Sequence, residues 1–467
     1  MATKSARKQF RTAAMSHPAS AELYVMGKHL REKCPRSSHA MWKAPGNRPD
    51  PLQLLKEDNK GRVPELIPIR YGRMVRTPFT FYRGAALNMA ADLAATPVTG
   101  MRVQACGDCH LLNFGVYATP ERRLVFDIND LDETLPAPWE WDVKRLAASI
   151  VLACRNNGFS EVDARDAVLS CVRRYRERMA EYSGMPVLEV WYASIDIEKL
   201  SVKDNDKDAV RRARKRIAAA RARTVLEHDF PKLAAGAGEA PTIKDNPPLI
   251  YHLSGKAGED LLTRSREAYA GYRKTLQDDR RVLLDRYEVK DLAVKVVGVG
   301  SVGTHCYVAL LMASERDPLF LQVKEARRSV LEAYAGKSIY PNHGQRVVNG
   351  YRLMQSASDI FLGWAKSTFG QDVYVRQLRD MKITAQTELF SRRWMAEYAG
   401  FCGWALARAH ARSGAPAQIS GYLGKSDAFD KAIATFASAY ADQSERDHAI
   451  LKKAVRSGRV EIVNEEE

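Results

Sequence analysis

Between Gly107 and Asp142 the chain concentrates carboxylates, an amide and a histidine in the run GDCHLLNFGVYATPERRLVFDINDLDETLPAPWEWD. Asp108 and Asn113 stand five residues apart, and Asp127 follows Asn113 by fourteen, at the end of the apolar run LVF. That spacing predicts a loop, a short hairpin and a second strand end converging on one point. Magnesium takes carboxylate and amide oxygens together with phosphate oxygens and water, which makes Asn113 and Asp127 the candidate metal ligands. Asp108 is then left to orient and deprotonate an attacking hydroxyl. The chemistry this pattern suits is magnesium-assisted phosphoryl transfer. Asp130, Asp132 and Glu133, in the turn that follows, would bind a second metal or a cationic substrate, or would form a solvated acidic turn.

A phosphate-binding partner is written much later. Gly298, Gly300 and Gly303 form G-x-G-x-x-G with Ser301 inside it, in VVGVGSVGTHCYVALL. The glycines lie between two strand-like runs, which disfavours a dinucleotide fingerprint and favours a glycine flap over nucleotide phosphates. Glycine lets backbone approach a phosphate without a side chain in the way. Lys324 follows Gly303 by 21 residues in another strand-like run, DPLFLQVKEA, where a lysine would reach the phosphates. The alternative is a tight hairpin with a surface lysine. Arg83, at the expected start of a helix, would face phosphate through its charge and the helix amides, or would pair with an acid as a clamp.

Several elements must position these groups. WDVKRLAASIVLACRNNGF reads as an apolar helix packed beneath the catalytic loop, and residues 160 to 185 continue as amphipathic helix. FYRGAALNMAADLAA has helical spacing before the loop. Residues 1 to 60 read as a basic arm, 61 to 284 as a helical lobe carrying the loop, 285 to 390 as a strand-rich lobe, and 391 to 467 as helices completing the helical lobe. Residues 231 to 248, rich in Gly, Pro and Ala, read as a boundary or loop. His410, on an Ala-rich helix, reads as structural.

The totals bound the reading. A chain of 467 residues with 45% hydrophobic and 27% charged residues builds real cores rather than a disordered coil. No apolar run is long enough to span a membrane, and the basic start has no apolar signal core, so a cytoplasmic address is expected. Seven scattered cysteines argue for free thiols. Cys106, Cys109 and His110 spell C-x-x-C-H, a haem-attachment pattern that is read as coincidence without an export signal. The net charge of +16 favours anionic partners. The basic run from 203 to 228 lacks aromatic stacking residues and reads as a solvated helix face rather than a nucleic-acid site.

The run from Gly107 to Asp142 resembles the catalytic segment of the aminoglycoside phosphotransferase and protein-kinase-like superfamily. The resemblance implies Asp108 as base, Asn113 and Asp127 as metal ligands, and Asp142 as a buried brace for the loop, with His110 in a supporting role. Cys106 stands where that family usually has a histidine. The whole chain, roughly residues 60 to 450, also resembles the bacterial family DUF2252. The matching runs include GDCHLLNFG, FDINDLDE, WEWDVKRLAASI, VVGVGSVGTHCYVALL and GWALARAHARSG.

In kinase-like proteins the flap and lysine precede the catalytic loop, whereas here they follow it by about 190 residues. The resemblance therefore implies an α+β, two-lobed, circularly permuted kinase-like fold. Chain ends can move while packed contacts stay the same. Residues 370 to 384 would link the lobes, and WMAEYAGFCGWALARAHARSG would be the helix that normally leads into the catalytic loop. The acidic partner of Lys324 would be Glu332 or Glu325 if the following helix begins early; otherwise Lys324 is held by another group. The function implied is an ATP- and Mg-dependent phosphotransferase acting on an unidentified hydroxyl. A nucleotide-binding pseudokinase scaffold, an AMP-transferring variant and a basic nucleic-acid-binding protein are the alternatives.

Overall fold

Pro138 opens the central helix, Trp139–Asn156, where its missing N–H costs nothing, and Glu140 and Asp142 in the first turn suit the positive end of the helix dipole. The helix is buried almost throughout its length. Helix Glu161–Gly184 starts at a reciprocal cap between Ser160 and Asp163, and helix Arg392–Ser413 starts at Ser391, whose hydroxyl accepts the Trp394 amide. These last two lie side by side. Helix Ala428–Arg456 packs on Trp139–Asn156, and helix Ser20–Lys33 on Pro416–Leu423, so segments from both ends of the chain close one helical body. Trp139 stacks on Tyr175 at 5.8 Å and tilts against Phe429 at 5.2 Å in its core.

This computed structural model describes residues 19–199, 230–235 and 241–465, save 368, 379 and 380, together with 211, 215 and 218. The expected basic helix of 203 to 228 lies outside the described residues apart from those three positions, as does the first part of the basic arm. No helix among the described residues is long and apolar enough to cross a membrane. The chain is α+β.

Six antiparallel strands form the main sheet, in the order Gly363–Lys366, Asp372–Gln377, Asp317–Glu325, Cys306–Ser314, Glu288–Lys295 and Ile250–Tyr251. Alternation along Asp317–Glu325 sends Leu319, Leu321 and Val323 to one face and Phe320, Gln322 and Lys324 to the other. The first face is covered by helix Lys256–Arg273 through Leu261 and Tyr272. Opposite, Phe320, Val308 and Leu310 pack with Leu233 and Ile243. The strand-rich part therefore takes in chain from about residue 250, earlier than the expected boundary at 285. A two-residue strand and a charged helix carry too little periodicity to be assigned to a sheet from sequence.

Helix His343–Met354 follows the Lys324 strand and buries Val347, Val348, Tyr351 and Met354 in the core of the helical body, tying sheet and helices together. Beyond strand Asp372–Gln377 the chain crosses to the helical side, where Ile383–Thr384 pairs with the hairpin of Phe114–Ala118 and Leu124–Ile128. Strand Arg102–Ala105 pairs with Leu135–Pro138 and closes the intervening loop into one unit. The expected helix over FYRGAALNMAADLAA is two helices, Pro78–Gly84 and Ala86–Leu93, broken at Ala85. Arg83 thus lies in the last turn of the first helix, not at a helix start, and the helix-amide argument does not apply to it.

Candidate active site

Helix Trp139–Asn156 carries one polar stripe at spacings of three and four: Asp142, Arg145 and Ser149. All three reach the loop that carries Asp108. Asp142 accepts the Cys106 amide at 2.6 Å and the Gly107 amide at 3.0 Å, and takes His410 Nε2 at 3.1 Å. Ser149 Oγ accepts the Leu111 amide at 2.9 Å. Arg145, almost wholly buried, donates from Nε to Asp108 Oδ1 at 2.8 Å, and its Nη2 holds the same oxygen. That leaves Asp108 Oδ2 for the cleft, with His110 Nε2 3.9 Å away. Gly107 has φ of +83°, and a Cβ there would meet the Glu133 carbonyl, so the turn demands glycine. Burial pushes His110 down to about 3 and keeps it neutral. His410 is satisfied on both nitrogens, by Asp142 and by Tyr175 at 2.9 Å, the structural role expected of it.

The glycine flap and Lys324 come to this loop. Residues 296–305 join strands Glu288–Lys295 and Cys306–Ser314, and a Cβ at Gly300 would lie 3.2 Å from the Arg83 carbonyl and 4.0 Å from Asp108 Oδ2. Lys324 Nζ is 2.5 Å from Asp132 and 3.7 Å from Asp130. The Tyr374 hydroxyl donates to the other oxygen of Asp132 at 2.5 Å. Burial works to raise Asp132, but Lys324 and Tyr374 hold it down to about 2. Burial and then the Asp132 charge push Asp130 up. One cavity of about 60 Å³ is lined by Asp108, Asn113, Asp130, Asp132, Gly300 and Ser301. Gly298 and Gly303 belong to the same flap but do not line the cavity.

Asn113 donates from Nδ2 to the Asp108 carbonyl at 2.6 Å, leaving its side-chain oxygen for a ligand. Asp127 does not reach the cavity. It is wholly buried, with Oδ1 on Arg408 at 2.7 Å and on its neighbouring amide, and Oδ2 on the Ser356 amide and hydroxyl, both at 2.8 Å. Nor do Glu332 and Glu325 meet Lys324: Glu332 pairs with Arg328 at 3.2 Å and Glu325 with His305 at 2.9 Å. Helix Glu332–Ala335 gives its one acid to Arg328 and helix His343–Met354 carries none, so the turn acids supply the partners of Lys324 instead.

Arginines frame the other wall. Arg83 lines the cavity, and its buried Nε has no hydrogen-bond partner. Asp58, from the stretch expected to be a mere arm, gathers Arg62 at 2.9 Å and Arg70. Burial works to raise Asp58, but Arg62, Arg70 and Arg327 hold it low. Arg62 Nη1 in turn donates to the flap carbonyls of Gly300 and Val302, each at 2.7 Å, and Arg73 to that of Gly298. The flap is latched down by these arginines.

Among the described residues no three His, Cys, Asp or Glu side chains converge as a cage for a metal. Magnesium held by one or two protein oxygens plus phosphate does not require such a cage, and Asn113 with Asp130 is the pair that fits. Cys106 and Cys109 are buried free thiols.

Over residues 62–454 the chain matches the family model described as an uncharacterized protein conserved in bacteria, DUF2252. No curated protein matches it, and no solved structure does.

Proposed function

Since this chain belongs to the DUF2252 family, whose description carries no reaction, we propose from its own residues that it is an ATP- and magnesium-dependent phosphotransferase acting on a hydroxyl. The observation that carries this reading is the meeting of Gly300 and Lys324 with a loop written about 190 residues earlier, Lys324 Nζ lying 2.5 Å from Asp132. The order of parts supports a permuted kinase-like arrangement. A glycine flap joins the first two strands of a meander, a lysine sits on the third, a helix follows, and the next strand pair leads into a connector.

Asp108 orients the acceptor hydroxyl through Oδ2 while Arg145 fixes its other oxygen. Asp142 holds the loop amides so that the carboxylate keeps its aim. Lys324 and Arg83 supply positive charge for phosphate oxygens, the main need of a reaction driven by positioning and charge. Asn113 and Asp130 would hold magnesium, which when bound neutralises phosphate charge. Asp130 takes this part in place of Asp127, whose oxygens are already committed.

The pairing of Lys324 with Asp132 of the turn, and not with a helix glutamate, favours one second reading, a nucleotide-binding scaffold without turnover. The cleft, at about 60 Å³, admits a phosphate or ion but not a nucleoside, since ligand pockets run to about 300 Å³ or more. On either reading, the Arg62 and Arg73 latch lifts for nucleotide to enter.

The test pairs a thermal shift with ATP and magnesium with assays for ADP and AMP release across hydroxyl substrates. Asp108→Asn, which spares Arg145 a bare carboxylate-sized hole, should cut turnover by about 10²–10⁴-fold while nucleotide still stabilises the protein. Full turnover in the variant excludes Asp108 as base. Stabilisation without turnover in the parent protein favours the scaffold.

A further inference from the structure

A second, larger cavity of about 500 Å³ lies at the opposite end of the strands from the flap, between the turn at Arg316 and Asp317, the connector at Leu378 and Lys382, and the hairpin tip at Arg122. Its size is that of sites for small organic ligands. Four cations line it, Arg122, Arg316, Arg376 and Lys382, against two acids. Both acids have donors of their own: Asp359 takes the Phe361 amide at 2.8 Å and the Gln377 amide, and Asp317 takes the Tyr287 hydroxyl at 3.2 Å. By count the lining carries two more cations than acids. Tyr117, Tyr287 and Tyr351 add aromatic surface, on which a planar ring can stack while arginine grips a phosphate.

We propose that this cavity is a second binding site, for a mononucleotide, and that its occupancy sets the position of Asp130. The second half rests on the placing of Asp130 in the catalytic centre; the binding itself does not. Two side chains of the cavity wall hold the backbone on either side of Asp130. Arg376 Nη1 donates to the Asn129 carbonyl at 3.2 Å and to the Tyr351 hydroxyl at 2.9 Å. That hydroxyl donates to the same carbonyl at 3.2 Å and accepts the Leu131 amide at 3.3 Å. A phosphate that draws the Arg376 guanidinium towards it loosens this bracket, and the turn from Asn129 to Leu131 moves with it.

The site can be tested with AMP, titrated into the full chain without magnesium. Two variants separate the cavities. Arg122→Gly with Arg316→Glu alters only exposed positions of the larger one, and glycine suits the φ of +64° at residue 122. Lys324→Met alters the flap cleft. AMP should bind the parent chain and Lys324→Met alike, and the double variant about tenfold or more weakly, the loss expected for charge-assisted contacts. Equal binding to parent and double variant overturns the proposal, as does no binding of AMP to the parent. Loss in Lys324→Met alone overturns it too, but leaves the phosphotransferase reading intact, since AMP would then sit under the flap.

Discussion

Asp127 lies one residue before the end of strand Leu124–Ile128, and Asp130 and Asp132 ride on the turn just beyond it, yet the two places differ in burial and in partners. Asp127 and its partner Arg408 are both wholly buried, and each Asp127 oxygen has fixed donors. The side chains of Asp130 and Asp132 are 34% and 26% exposed, and Lys324 is their chief cation. A carboxylate whose lone pairs are filled by a rigid frame has none to lend a metal, whereas one opening on a cleft does. Motif and spacing alone rank these acids the other way round.

The comparison breaks most visibly at Arg408. Removing one partner of a buried ion pair strands the other, at a cost of about 3–5 kcal/mol. Arg408→Met should lower stability to denaturant by that amount, because Asp127 would be left charged in the core. A loss under about 1 kcal/mol in a denaturation curve would mean that Asp127 is not part of the frame.

A smaller effect sharpens the cleft side. Burial raises the Glu133 carboxyl from 4.5 to about 7, against the pull of Arg346 and the Val330 amide. An acid raised on folding takes up a proton as the chain folds, so its contribution is fullest below about pH 4.5 and is lost as pH climbs through 7. Glu133→Gln should remove that part of the decline in Tm between these values. Parallel profiles for parent and variant would contradict the assignment.

Much of the site is legible in sequence where local spacing decides it. The loop with Asp108 and Asn113, the hairpin after it, the glycine flap between strands and the helix beneath the loop all follow from runs of a few residues. The stripe of Asp142, Arg145 and Ser149 was open to the same reasoning, since spacings of three and four put them on one helix face. Long-range partners were not legible. Arg408 reaches Asp127 from 281 residues away and Asp132 reaches Lys324 from 192, and no local pattern announces either meeting. Asp58 was hidden for another reason: a proline-punctuated, basic stretch looks like an arm until Arg62, which Asp58 holds and which latches the flap, is placed beside it.

On the function proposed above, magnesium is held by Asn113 together with Asp130, which lies on the turn after Asp127 and under the flap. The most direct measurement is the electron paramagnetic resonance of Mn²⁺, used in place of magnesium, titrated with a non-hydrolysable ATP analogue into the parent protein and into Asp130→Asn. Mn²⁺ should bind the parent in a nucleotide-dependent way, and the variant about 10–100-fold more weakly. Equal Mn²⁺ binding by both proteins would contradict that placing of the metal.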